Sequence, residues 1–420
     1  MKFIVSLVML LSVYSLKAQE SDYDRKNLLK ELRGYMKADN YSKVDNALKS
    51  AMAKYSEAKS DAELYNMWMN ANYNLALAEN KKIYLSSSQD TVKYMDYIYN
   101  TFAYGVVCDS LDRLPNHKGK IKRKFRDNIK ERLNFFQKNM ENAGRFFYRR
   151  KDYKRAYSCI DLYLKVKYMN NDDVSFCDSL VEAKHGAFEE KDKKLVVLAV
   201  FSAYSLDKYE NVVKYYPLAL DDSVKRSTIL ELACKSFEQL GMVDKYSDLL
   251  EYGFERYSVN EYFFASLIKL YNDKKDYETA LRFARDAVYK NPGNRNYWFV
   301  KATEEQMLEL VDSAIISYSN AIKIQPADAE SYSCIADIYL KKAHDEDKRL
   351  TISFEHSLTP KEYSTAKAKL KSLYIKACEN YELARVYGGE LTDLWLEGLK
   401  ECYYKLNRGK DLRDLETQGE

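Results

Sequence analysis

Only 5 Pro and 13 Gly occur in this chain of 420 residues. A sheet protein of such length turns often, and tight turns consume those two residues. Their scarcity excludes a many-stranded fold and predicts long helices with short connections. Histidine is scarcer still, with His117, His185, His344 and His356. None stands in an HExxH or a Cys/His ligand spacing, so no metal site is expected. GxGxxG, GxxxxGK and GxSxG are all missing, which removes dinucleotide sites, P-loop phosphate sites and the hydrolase nucleophile elbow. Acidic pairs such as Asp221-Asp222 occur in any charged helical chain and carry no acid–base signal. No catalytic residue and no cofactor is therefore expected. A surplus of one charge is lacking too, since 67 Lys and Arg meet 63 Asp and Glu. That balance predicts neither nucleic acid nor a charged membrane as the main partner. Seven cysteines are scattered, odd in number and never arranged as CxxC: Cys108, Cys159, Cys177, Cys234, Cys334, Cys378 and Cys402. They read as small buried thiols in a chain long enough to need no disulfide staples.

One apolar run stands at the start. Lys2 precedes a mostly apolar stretch, Phe3 to Leu16, and Ala18 offers a small residue before Gln19. This reads as a signal peptide over 1–18, cleaved near Ala18. A bilayer span needs about 20 apolar residues, so the stretch is short for an anchor. No Cys follows it to accept a lipid. The chain is thus expected to be exported to the periplasm or beyond the cell, with no later membrane span.

What the sequence does hold is self-similarity. Lys151-Asp152-Tyr153-x-x-Ala156 recurs as Lys275-Asp276-Tyr277-x-x-Ala280, and more loosely as Asp207-Lys208-Tyr209-x-x-Val212. The pairs Pro292/Pro326, Ala280/Ala314 and Ala287/Ala321 each lie 34 residues apart. A fixed period with helical spacing inside it means one helix hairpin repeated. One such unit carries Phe264, Leu267, Ile268, Tyr271, Ala280, Ala284, Ala287 and Pro292. The next carries Trp298, Lys301, Ala302, Glu305, Ala314, Tyr318, Ala321 and Pro326. A third begins with Tyr332, Ile335, Ala336 and Tyr339 and resumes with Ala377, Tyr381 and Ala384.

These residues resemble the tetratricopeptide repeat. That family places Leu at repeat position 7, small residues at 8, 20 and 27, Tyr at 11, an aromatic at 24 and Pro at 32. Ile268, Ala284, Lys301 and Glu305 depart from the pattern. Weaker copies run upstream through Gly144, Phe147, Ala156 and Tyr163, through Val200, Val212 and Ala219, and across 224–256 with a turn at Gly241. The resemblance implies an all-α, right-handed α-α superhelix of about 12–16 helices. Its expected divisions are an N-terminal helical region over 19–135, degenerate hairpins over 136–258, repeats over 259–408 and a tail over 409–420. Position 8 crosses positions 20 and 27 of the partner helix, so small side chains there allow close approach.

Other segments add detail. Helices are expected over 60–84 and 90–112, the second capped by Asp90. The basic run 118–124 leads into Phe125, Ile129, Leu133 and Phe136, and with Ile121 reads as one amphipathic helix. Between Tyr339 and Ala377 lie 29 residues more than the repeat allows, an insertion near 341–370. Within it, Thr359-Pro360-Lys361-Glu362 forms a capping box that should open a long helix to about 386. The 38 tyrosines fit the aromatic repeat positions first and a recognition surface second.

The resemblance also implies a site. In that family, positions 2, 5, 9 and 12 of each first helix line a concave groove for an extended peptide or partner helix. Carried over, these are Tyr262, Ala265, Lys269 and Asn272, then Asn296, Phe299, Thr303 and Gln306, then Glu330, Ser333, Asp337 and Leu340. Members that clamp a C-terminal carboxylate use Lys at 5 and Asn at 9, and this chain has neither pair. The expected role is a binding scaffold for a protein or peptide partner. A glycan-binding protein of the outer surface, resembling exported proteins of Bacteroidetes, is the alternative, with an envelope assembly factor a third.

Overall fold

The computed structural model describes residues 23–85, 88–115, 119–168, 189–354 and 359–417. The leader and Cys177 lie outside them. Among the described residues there are eighteen α-helices and no strand, more helices than the repeat pattern alone predicted. The chain forms two compact units that divide between Gly241 and Met242.

The first unit contains α1 (Arg25–Lys37), α2 (Tyr41–Lys54), α3 (Ala62–Tyr84), α4 (Thr91–Asp112), α5 (Arg126–Arg149), α6 (Tyr153–Lys167), α7 (Glu190–Tyr204), α8 (Tyr209–Ala219) and α9 (Arg226–Gln239). Asp90 accepts the Lys93 amide at 3.0 Å and opens α4 as its sequence foretold. The basic run behaves differently. The helix begins only at Arg126, and Ile121 stands largely exposed outside it. Gly119 turns through a positive φ of 71°, and the Phe125 amide is tied to Asp112 at 2.8 Å. Helical spacing continued through the run, but the backbone had already been spent on a turn.

The second unit contains α10 (Val243–Arg256), α11 (Glu261–Asp273), α12 (Tyr277–Lys290), α13 (Arg295–Met307), α14 (Val311–Ile324), α15 (Ala329–Phe354), α16 (Pro360–Gly388), α17 (Leu396–Lys405) and α18 (Gly409–Thr417). The expected boundary at 258 falls inside this unit. The reason is packing: a Cβ on Gly253 of α10 would come within 2.4 Å of the Phe263 ring of α11. Those two helices touch too closely to belong to separate bodies. The expected tail contains a helix, α18, with Leu415 buried against the last core.

A backbone signature explains the recurring Lys-Asp-Tyr. Lys151, Asp207, Lys275 and Glu309 all adopt positive φ, between 54° and 60°, as does Gly241 at 67°. From Asp207 onward these positions are spaced 34 apart, at 207, 241, 275 and 309. In each non-glycine case the following amide reaches back five residues, as Asp276 to the Tyr271 carbonyl at 2.9 Å and Leu310 to Glu305 at 2.8 Å. This is the Schellman ending of a helix, a left-handed residue followed by a 6→1 hydrogen bond. Asp276 then caps the next helix by accepting the Thr279 amide at 3.1 Å, and Asp152 does the same for Arg155. One tripeptide thus ends one helix and starts its partner.

The small residues do what the repeat requires. Ala302, Ala314 and Ala321 are fully buried, as are Ala336, Ala377 and Ala384 across the insertion. At Gly144 an added Cβ would lie 2.6 Å from Ile160. Ala314→Leu is therefore expected to cost about 1–3 kcal/mol by overpacking, seen as a lower urea midpoint at unchanged slope. The insertion lengthens both helices of its hairpin, to 26 residues in α15 and 29 in α16. Thr359 and Glu362 close the capping box reciprocally, at 2.9 Å and 3.3 Å.

Candidate functional site

The predicted groove residues lie on α11, α13 and α15, the first helices of three successive hairpins. Between α11 and α13 runs a cleft of about 420 Å³. Phe264, Ile268, Tyr297 and Val300 supply its apolar lining, and Glu261, Lys269 and Asn296 its charged and polar margin, with Ala265 alongside. Lys269 is exposed and has no acidic partner among the described residues. Asn296 is exposed and accepts from Arg295 at 3.4 Å. The cleft therefore brings together Ala265, Lys269 and Asn296.

The other predicted residues are engaged elsewhere. Tyr262 is half-buried and meets the Phe263 ring edge-on at 5.5 Å. Phe299 packs edge-on against Tyr318 at 5.4 Å and beneath the Arg295 guanidinium at 4.4 Å. Thr303 donates to the Phe299 carbonyl at 3.1 Å, and Gln306 accepts the Tyr318 hydroxyl at 3.1 Å. Asp337 accepts the Tyr381 hydroxyl across to α16. Arg295 joins the two hairpins by gripping Asp328, and it also holds Glu330 at 2.8 Å. Its fork and the Asp328 carboxylate fix how α13 and α15 stand side by side.

Asn272 has a different neighbour. Its amide donates to Glu304 at 2.9 Å, and Glu304 is 1% exposed. The second Glu304 oxygen and the Asn272 carbonyl oxygen are both buried and make no hydrogen bond. Burial raises the Glu304 pKa above the usual carboxylate value of 4.5, and only the Asn272 bond opposes it. A proton on the carboxyl gives the pair the donor that it lacks, since a protonated acid gains an O–H. The neutral acid's contribution is intact below 4.5 and is lost as pH rises through the raised value. Glu304→Gln is expected to match the parent near pH 4 and to be the more stable of the two at pH 8. Thermal melts of both proteins across that range check it.

Two of the residues that broke the repeat pattern, Lys301 and Glu305, explain each other. Lys301 reaches Glu305 at 2.6 Å and Ser317 at 2.7 Å, and the Ser317 hydroxyl donates to the other Glu305 oxygen at 2.6 Å. Glu305 and Ser317 are buried, so a closed ionic triad stands where the family has Leu and Tyr. Sequence reasoning noted the departures and missed the pairing. Their i, i+4 spacing was the available signal.

Among the described residues no group of three or more His, Cys, Asp or Glu is placed to hold a metal ion. The six described cysteines are free thiols. Burial pushes Cys108, Cys159, Cys234, Cys378 and Cys402 up to about 12 and Cys334 up to about 11, so each is protonated at neutral pH. No helix among the described residues is long and apolar enough to cross a membrane.

No protein-family model and no curated protein matches the chain. Solved structures do resemble it. One is the C-terminal part of a TPR repeat-containing protein from Cytophaga hutchinsonii, at 14% identity and a TM-score of 0.40, over 65% of this chain and 91% of that one. A TPR repeats protein from Bacteroides fragilis is 15% identical over 64% of this chain and 98% of its own, with a TM-score of 0.32. A tetratricopeptide repeat protein from Parabacteroides merdae is 16% identical over 63% and 98%, with a TM-score of 0.33. These three are repeat proteins from Bacteroidetes. Likenesses this distant leave the functional reading to the chain's own side chains.

Proposed function

We propose that this chain is an extracytoplasmic scaffold that holds an extended peptide or a partner helix along the cleft between α11 and α13. The observation that carries the reading is the cleft itself, with its apolar lining and its open polar margin. An apolar recess with a few placed polar groups is the usual form of a recognition site. Lys269 supplies an uncompensated charge at its edge, which sets orientation and approach rate more than raw affinity. Export rests on the leader read from residues 1–18.

The test is capture by the immobilised mature chain from envelope extract, with mass spectrometry of what is retained. Lys269→Glu combined with Asn296→Arg changes only exposed side chains. It is expected to weaken retention of a protein partner at least tenfold, about 1.4 kcal/mol, at an unchanged melting temperature. Polysaccharide retained without any protein would sink the scaffold reading in favour of a glycan-binding one. Retention indifferent to the double variant would remove the cleft from the interface.

A further inference from the structure

The long hairpin of α15 and α16 is basic as well as tall. Residues 341–376 hold nine Lys or Arg against five Asp or Glu, a surplus equal to the +4 of the whole chain. Part of this charge is answered locally. Lys342 pairs with Asp312 at 2.7 Å, while Arg349 and Lys369 share Glu346 at 2.5 Å and 2.9 Å. Lys367 and Lys371 are exposed and have no acidic partner among the described residues.

Those two lysines stand one turn apart on α16, beside a cleft of about 500 Å³ that also takes in Tyr374 of α16, Asp347 of α15 and Lys405 at the end of α17. Its one carboxylate, Asp347, is occupied by Lys405 at 3.0 Å. Two ammonium groups are left over. A cleft in the first unit makes the contrast. Of its four cations three are answered, Lys49 by Asp45 at 2.6 Å, Lys93 by Asp90 at 3.5 Å, and Arg155 by Asp96 and Asp152, which leaves Lys154 alone outside any ion pair among the described residues.

A second observation is independent of charge. Tyr374 is 3% exposed, and its hydroxyl finds no acceptor within hydrogen-bond distance. The nearby Lys405 ammonium, 5.8 Å from the ring centre, can only donate. The Tyr374 proton therefore lacks an acceptor. Four other buried tyrosines of this chain have a carboxylate there: Tyr163 bonds Asp192 at 2.9 Å, Tyr215 bonds Asp161 at 2.7 Å, Tyr403 bonds Glu382 at 3.1 Å, and Tyr381 bonds Asp337. At Tyr374 the carboxylate is the missing piece.

We propose that this cleft receives a carboxylate side chain from an acidic segment of a protein partner, with Lys367 and Lys371 supplying charge and Tyr374 the oriented donor. Lysine ammoniums are point charges, and the cleft has no guanidinium fork of the kind that grips phosphate by two bonds. The inference does not depend on the α11–α13 cleft.

The test uses the full mature chain and a fluorescein-labelled oligoglutamate peptide, followed by anisotropy near 0.01 M salt, where the Debye length is about 30 Å. The peptide is expected to bind and to release as salt rises. Lys367→Gln with Lys371→Gln should weaken binding at least tenfold at an unchanged melting temperature. Tyr374→Phe should weaken it about threefold without lowering that temperature, and Lys49→Gln should leave it as it was. No binding by the parent chain would overturn the proposal, as would equal binding by the double variant. Binding of inorganic phosphate or a sulfated polysaccharide in place of the peptide would also overturn it.

Discussion

Lys301→Met is expected to destabilise the second unit by about 3–5 kcal/mol, because it strands the buried Glu305 carboxylate without its cation. Ser317 alone cannot neutralise that charge. Glu305→Met is expected to cost a similar amount, with the Lys301 ammonium, which is 17% exposed, retaining some access to water. The double replacement Lys301→Leu with Glu305→Tyr restores the residue types that the repeat places there. It is expected to be neutral or to stabilise by about 1–4 kcal/mol, since a well-packed apolar pair avoids the desolvation of two ions. Ser317 then turns to a carbonyl of its own helix, as other helical serines of this chain do. Urea titration of Lys301→Leu, Glu305→Tyr and the double replacement closes the cycle and gives the coupling. Additive losses would show that the triad is not a unit.

Gly398→Ala has the next largest expected effect, about 3 kcal/mol. A Cβ there would lie 2.2 to 2.5 Å from the Tyr381 ring and hydroxyl. The ring has no easy retreat, because its hydroxyl is bonded to Asp337 and its face is buried. Helix α17 must then lift from α16, and overpacking of this kind usually costs about 1–3 kcal/mol, with rigid neighbours at the high end. For a unit of this size the melting temperature should fall by roughly 6–12 °C. Gly34→Ala is the control of opposite sign. Nothing lies within 4 Å of its Cβ, so the gain in helix propensity, about 0.5–1 kcal/mol, should appear undiminished.

Much of the fold was readable from side-chain size. Small residues at Ala302, Ala314 and Ala321 announced a close crossing because nothing larger fits there, and the capping box at Thr359 announced the start of α16. The common turn was harder to see. Asp207, Gly241, Lys275 and Glu309 share a backbone conformation and a spacing but no side-chain chemistry, and only φ reveals them as one feature. The basic run misled because hydrophobic spacing persists through Ile121 whether or not the backbone is helical. The site was legible in part. Position along a helix told which residues lie on the facing side, and Ala265, Lys269 and Asn296 share a cleft as a result. It did not tell that Phe299, Thr303 and Gln306 turn toward Tyr318, since that depends on a neighbour in another helix. The orphaned hydroxyl of Tyr374 left no trace in the sequence.

A chain made of near-copies runs a risk that ordinary folds escape: during folding, a first helix can zip onto the second helix of the wrong copy. Such a slip matches Ala to Ala and costs little in shape. The triad of Lys301, Glu305 and Ser317 makes one rung unlike the rest. Slipped by a repeat, α13 would press its ammonium and carboxylate onto the Phe283 ring in place of the Ser317 hydroxyl. A single polar rung thus works as an indexing pin, letting the ladder close in only one alignment.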